Sequence, residues 1–250
     1  MRRCGWWVCW MWLACASVSV CAAEVKVAVA SNFAAPMHKL AALFMQETGH
    51  KVLISLGSTG GFHAQIQQGA PFELLLAADQ QTPLMLEQQG LSVPGSRYTY
   101  AVGQLVLWSK TPGLMDPQGD VLRRGNFQKL ALANPKVAPY GRAAVEVMTA
   151  MGLLSSLKDK WVQGENIAQA HQFVLSENAT LGFVALSQVQ VQGQLSQGSA
   201  WIVPERWYSP IRQDAILLKQ GKDHEAARAL WTYMRTDSAK AVIRSFGYTF

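Results

Sequence analysis

Beyond residue 23 this 250-residue chain contains no cysteine, because Cys4, Cys9, Cys15 and Cys21 all precede that point. Once the leading segment is removed, disulfides, thiolate metal centres and a cysteine nucleophile are excluded. Histidine is nearly as sparse: His38, His50, His63, His171 and His224 are scattered with no HExxH or other ligand spacing, so no metal site is expected. Charge is scarce too, with only 15% Asp, Glu, Lys and Arg. Without residues 1–23, 20 basic residues face 16 acidic ones, a net charge near +4. The basic residues are dispersed, which steers anions mildly and leaves no footprint for nucleic acid. The apolar run Trp6 to Ala16 is too short to span a bilayer comfortably.

That run instead belongs to a targeting segment. Arg2 and Arg3 supply a positive start, and Cys21-Ala22-Ala23 supplies a small-residue cleavage site before Glu24. Residues 1–23 are therefore expected to be a signal peptide, and the remaining chain a soluble protein exported to the periplasm. The residues before Cys15 and Cys21 fit a lipid-attachment box poorly.

About 227 residues remain, enough for two small lobes. Val25 to Ala30 reads as a buried strand. Pro36 to Thr48 reads as a helix, with Pro in its first turn and Gly49 as its stop. Lys51 to Ser55 and Leu74 to Ala78 read as strands around a short helix, Phe62 to Gln68. This β-α-β-α-β order marks an α/β fold with parallel pairing and ligand sites beyond the strands' C-terminal ends. The long extended run Tyr98 to Trp108 is expected to leave one sheet and enter a second. There Leu130 to Ala133 and Leu181 to Ala185 read as strands, with helices at Gly141 to Met151 and Asn166 to Leu175. Gln213 to Lys219 returns as a strand, followed by helices at Asp223 to Arg235 and Ser238 to Arg244. Two crossings divide the chain into lobe 1, residues 24–103 and 212–250, and lobe 2, residues 104–211. The cleft between them is the default binding site.

Four turns face that cleft in this reading: Ala30-Ser31-Asn32-Phe33, Gly57-Ser58-Thr59-Gly60-Gly61, Ala138-Pro139-Tyr140-Gly141 and Gly164-Glu165-Asn166-Ile167. Each opens a helix, so each offers unpaired backbone N–H groups and the positive end of a helix dipole. One such turn is an ordinary helix cap. Four converging on one cleft make an oxyanion site.

Several segments, in order along nearly the whole exported chain, carry a family resemblance. They are Val29-Ala30-Ser31-Asn32-Phe33-Ala34-Ala35-Pro36-Met37, Gly57-Ser58-Thr59-Gly60, Gly69-Ala70-Pro71-Phe72-Glu73, Asn134 to Gly141, Gly164 to Ala170 and Leu181-Gly182-Phe183-Val184-Ala185. Together they resemble the periplasmic molybdate-binding proteins of molybdate ABC transporters. The resemblance implies a two-lobed type II periplasmic binding fold, with two mixed, mostly parallel sheets, flanking helices and a ligand cleft between lobes. It implies no catalysis and no cofactor, with molybdate or tungstate as ligand, a membrane ABC permease as partner, no nucleic acid, and a monomer. Carried over by position, the ligand-binding residues are Ser31 with Asn32, Ser58 or Thr59, Tyr140 and Ile167, the last two through backbone N–H groups. The second turn can be matched with a one-residue shift, which leaves Ser58 and Thr59 both open. Some members place a Tyr where this chain has Ala185. Tyr140, a poor helix cap, is then expected to donate its phenol to the ion.

Neutral donors suit a fully deprotonated dianion. A protonated phosphate would reward a carboxylate, for which Asp79 and Glu165 are the candidates, though both read more simply as helix-end residues. Sulfate differs from molybdate only in size. The remaining alternatives are another oxyanion-binding protein and an exported serine hydrolase using Ser31 or Ser58 with His38 or His63. Against the hydrolase stands the lack of a GxSxG elbow.

Overall fold

A computed structural model describes residues 22–250. The expected signal peptide falls almost wholly on residues 1–21, outside the described residues. The chain begins with β1 (Glu24–Ala30), a three-ten turn at Ser31–Phe33, α1 (Ala34–Thr48), β2 (Lys51–Gly57), α2 (Thr59–Gln67), β3 (Leu74–Leu76), α3 (Gln81–Gln88) and β4 (Tyr98–Gly103). Val25, Val27, Ala28 and Val29 are fully buried because β1 lies between β2 and β3, in parallel with both. Glu24 and Lys26 at its start are exposed, and from Val27 onward the strand reads as the continuous apolar run of a covered central strand. Helix α1 stops where Gly49 takes a left-handed φ of 75° and donates its N–H to Met45 O, a conformation that glycine adopts at little steric cost.

The chain then changes sheets. Tyr98 to Ser109 is continuous extended chain broken only at Gln104, so β4 lies in the first sheet and β5 (Leu105–Ser109) in the second. The second region continues with α4 (Val121–Arg124), β6 (Leu130–Ala133), α5 (Pro139–Ala150), α6 (Leu154–Leu157), β7 (Trp161–Gly164), α7 (Ile167–Leu175), β8 (Leu181–Ala185) and α8 (Leu186–Val189). A small hairpin of β9 (Gln190–Val191) and β10 (Gln194–Leu195) precedes β11 (Ser199–Ile202). The chain returns through β12 (Ile211–Leu217) and ends with α9 (Glu225–Tyr233) and α10 (Asp237–Ser245).

The sheet orders are β2-β1-β3-β12-β4 and β11-β5-β8-β6-β7. Both are mixed, with their pairings divided evenly between parallel and antiparallel. The antiparallel half of each arises at the crossings, because β4 runs out of the first sheet and β12 re-enters it beside β4 and β3. Likewise β5 enters the second sheet antiparallel to β8 and β11. Each sheet has its own apolar core. One packs Phe33, Met37, Leu40 and Phe44 of the first helical segment onto β1 and β3. The other packs Trp108, Leu132, Ala144, Met148 and Phe183. Among the described residues, no helix is long and apolar enough to cross a membrane.

Candidate functional site

The parallel strands β1, β2, β6 and β7 each end in a turn that opens a helical segment, and those four openings meet. They surround a small cavity lined by Ser31 and Asn32, Ser58 and Thr59, Tyr140, and Asn166 and Ile167, with Ala, Gly and Pro residues between them. All six residues carried over from the resemblance thus lie around one space. Among the described residues no Asp, Glu, Lys, Arg or His lines it. Its free space holds about one water-sized sphere, far less than the roughly 300–1,000 Å³ of pockets for organic ligands, so it suits a small inorganic ion.

Local hydrogen bonding decides which donors each turn has free. In α7 the Asn166 side chain accepts from the Ala168 and Gln169 amides at 3.0 and 3.1 Å. Ala170 N bonds to Asn166 O. What remains of the unpaired first turn is the Ile167 N–H. In α5, Pro139 at the first position has no N–H, and the Gly141 and Arg142 amides bond to Ala138 O. That leaves the Tyr140 N–H. In α2 the Ser58 side chain caps Gly61 N at 3.3 Å, and Gly60 N donates to Val137 O at 2.9 Å, so the Thr59 N–H is free.

The same geometry separates Ser58 from Thr59. The Thr59 hydroxyl, fully buried, accepts from Ala78 N at 2.9 Å and so ties α2 to the end of β3. The Ser58 hydroxyl accepts from an amide and keeps its own proton for the cavity. Asn32 is spoken for on three sides. Its side-chain N–H₂ donates to Gln213 Oε1 at 2.9 Å and to the Tyr248 hydroxyl at 3.0 Å, and its carbonyl accepts from Ser187 Oγ at 2.8 Å. It therefore faces the cavity with its backbone N–H. The Ser31 hydroxyl sits 3.4 Å from Ala168 N, across the cleft.

Tyr140 departs from expectation. Its ring is fully buried, and its hydroxyl lies against Gly103 and accepts from Gln213 Nε2 at 3.2 Å. The phenol is committed to the junction between the sheets, and only the backbone N–H of this residue is offered to the cavity. The surrounding hydroxyls are neutral, since burial pushes Tyr248 up to about 12 and holds Tyr140 and Tyr100 well above the usual phenol range.

Asp79 and Glu165 stand outside the cavity lining. Asp79 caps Thr82 N at 2.9 Å and pairs with Arg142 across the cleft mouth at 2.7 Å. The Glu165 N–H donates to the Gln169 side chain on α7. The hydrolase reading finds no geometry either, because His63 Nε2 has no hydrogen-bond partner and the Ser31 hydroxyl accepts from Ala168 N, with no bond to His38 among the described residues. Among the described residues no group of His, Cys, Asp and Glu could hold a metal ion. Gln213 and Tyr248 were missed in the sequence. The signal for Gln213 is the polar run Arg212-Gln213-Asp214 inside an otherwise apolar strand.

Two α/β sheets joined by paired crossings, with helix N-termini from both sides aimed at one closed cleft, define a solute-binding protein of the two-lobed type. The chain belongs to the bacterial extracellular solute-binding proteins, whose family model matches residues 25–249. It is 57% identical over 236 residues to the molybdate-binding protein ModA of Azotobacter vinelandii, an alignment covering 94% of this chain and 92% of that one. To the protein of the same name from Rhodobacter capsulatus it is 47% identical, covering 91% and 88%. The solved structure of the Azotobacter vinelandii periplasmic molybdate-binding protein superposes with a TM-score of 0.88 at 42% identity, covering 91% of this chain and 99% of that one. These relatives are binding proteins, and the chain is not an enzyme.

Proposed function

We propose that this chain captures molybdate in the cleft between its lobes, outside the cytoplasm, and hands it to a membrane ABC permease. Lobe 1 is residues 24–103 with 212–250 and lobe 2 is residues 104–211, a division supported by the way the strands partition between the two sheets. The observation that carries the reading is a small cavity that has donors from both lobes and no charged side chain.

Two hydroxyls, Ser31 and Ser58, and four amides, Asn32, Thr59, Tyr140 and Ile167, supply donors to the four oxygens of a tetrahedral dianion. None of them accepts a ligand proton strongly, which disfavours hydrogen phosphate. Charge-assisted hydrogen bonds are worth roughly 1.5–3 kcal/mol each. Six of them support nanomolar binding, about −12 kcal/mol, after the cost of bringing the lobes together. Tungstate, of the same charge and shape, binds the same donors. Only an ion that bridges both lobes stabilises the closed form, and that form is what a permease reads. The protein acts as a monomer and carries no cofactor, the oxyanion being its cargo.

Calorimetric titration of residues 24–250 with molybdate, tungstate, sulfate and phosphate tests the assignment. Nanomolar binding of the first two is expected, with sulfate at least about 100-fold weaker because donors set for a larger ion cannot all reach it. Sulfate as tight as molybdate would sink the molybdate assignment.

A further inference from the structure

Gln213 has no exposed surface although it sits on β12, a strand of otherwise mainly apolar buried residues, at a shift in register beside Asp214. A carboxamide buried in this way is costly unless its polar atoms find partners. Its Oε1 accepts from Asn32 Nδ2 and from the Tyr100 hydroxyl, both at 2.9 Å, and its Nε2 donates to the Tyr140 hydroxyl at 3.2 Å. Asn32 and Tyr100 belong to the elements around the first sheet, whereas Tyr140 opens α5 against the second. Gly103, at the end of β4, makes the approach possible. A Cβ there would overlap the Tyr140 hydroxyl and the Gln213 amide nitrogen.

One side chain therefore joins the residue that lends the cavity its first-turn amide to the residue that lends its third-turn amide. We infer that Gln213 is a positioning residue for ligand retention: it aligns the Asn32 and Tyr140 N–H groups on the same ion and sets the rate at which the closed lobes release it. The inference rests on the oxyanion-binding reading above. Gln213 lies outside the cavity lining and reaches the ion only through Asn32 and Tyr140, so its effect is expected on how long the ion is held rather than on how fast it is met. Interactions made after encounter appear in the dissociation rate.

The test measures association and dissociation rates of molybdate by stopped flow for the exported chain and for Gln213→Met, Tyr140→Phe and the double variant. Tyr140→Phe is expected to raise the dissociation rate about 3- to 10-fold, the size of one net hydrogen bond, and Gln213→Met, which also loses the bonds to Asn32 and Tyr100, at least as much, with association within about twofold. The double variant should release no faster than Gln213→Met alone, because that change already removes the one bond that Tyr140→Phe deletes. Unchanged dissociation, an equal fall in association, or additive effects would overturn the role. If Gln213→Met does not fold, Tyr140→Phe keeps the ring and its packing and decides the question alone through the same rate comparison. A wild-type chain that binds no molybdate refutes the oxyanion reading itself. Wild-type binding with unaltered release in the variants refutes only the role of Gln213.

Discussion

Gly60→Ala should weaken ligand binding while leaving the unliganded protein as stable as before or slightly more so. Gly60 is the second residue of α2, and its N–H donates to Val137 O across the cleft at 2.9 Å. A Cβ at this position would stand 3.0 Å from Val137 Cα and Cβ and 3.2 Å from Val137 O. Those contacts are too tight to hold without moving backbone of the opposite lobe. Overpacking of this kind costs about 1–3 kcal/mol. It is charged to the closed form alone, since parted lobes remove Val137 from the neighbourhood. The dissociation constant for molybdate should rise about 5- to 150-fold. Alanine is a better helix former than glycine by up to about 1 kcal/mol, so the melting temperature without ligand should hold or rise. Calorimetry and thermal melts with and without molybdate therefore move in opposite directions. A dissociation constant within twofold of wild type refutes the reasoning. So does an equal fall in melting temperature with and without ligand, which would mean that the methyl strains lobe 1 itself.

The two hydroxyls of the second turn should behave differently. Ser58→Ala removes both a donor to the ion and the cap on Gly61, and affinity should fall by roughly 1–3 kcal/mol. Thr59→Val deletes the acceptor for Ala78 N, and the loss, about 1–3 kcal/mol, should appear in thermal stability without ligand; the reverse pattern in calorimetry and melts would exchange their roles. His171 packs its ring 5.0 Å from that of Trp108, and burial holds its pKa below the usual imidazole value. The unfolded chain then binds more protons than the folded one once pH falls through about 6.5, so stability is lost from there downward until the folded form also protonates. His171→Phe should reduce the drop in melting temperature between pH 7.5 and pH 5, and an unchanged drop counts against this account.

Much of this architecture was legible in the chain because its elements punctuate themselves. Gly49 stops α1, Pro139 starts α5, Asn166 caps α7, and Leu130 to Ala133 and Leu181 to Ala185 coincide with β6 and β8. The passage from one sheet to the other within Tyr98 to Trp108 was legible as well, since that extended run is longer than one ordinary strand. The short edge strands β7 and β11 were not. Each has four residues, and the partly exposed Trp161-Val162-Gln163 shows no periodicity that a pattern can register. At the site, position along the chain located the donors and left open which atom of each would serve. Asn32 and Tyr140 turn their side chains away from the cavity because partners distant in sequence, Gln213 and Tyr248, claim them. Local chain chemistry carries no trace of bonds spanning 73 to 216 residues. Thr59 looked equivalent to Ser58 for the same reason, its partner Ala78 lying on another element.

The neutrality of the cavity lining has a consequence for the medium in which such a protein works. In the periplasm, where the Azotobacter vinelandii relative is found, ionic strength and acidity follow the surroundings of the cell. A site built from lysines or arginines near the surface would lose attraction as salt accumulates, because mobile ions shield exposed charges over roughly 10 Å. Here the positive potential comes from amide dipoles set between two lobes, and no lining group among the described residues titrates between mildly acidic and mildly alkaline conditions. Affinity then depends on how the cleft holds its dipoles more than on charged side chains that salt in the surrounding fluid would shield.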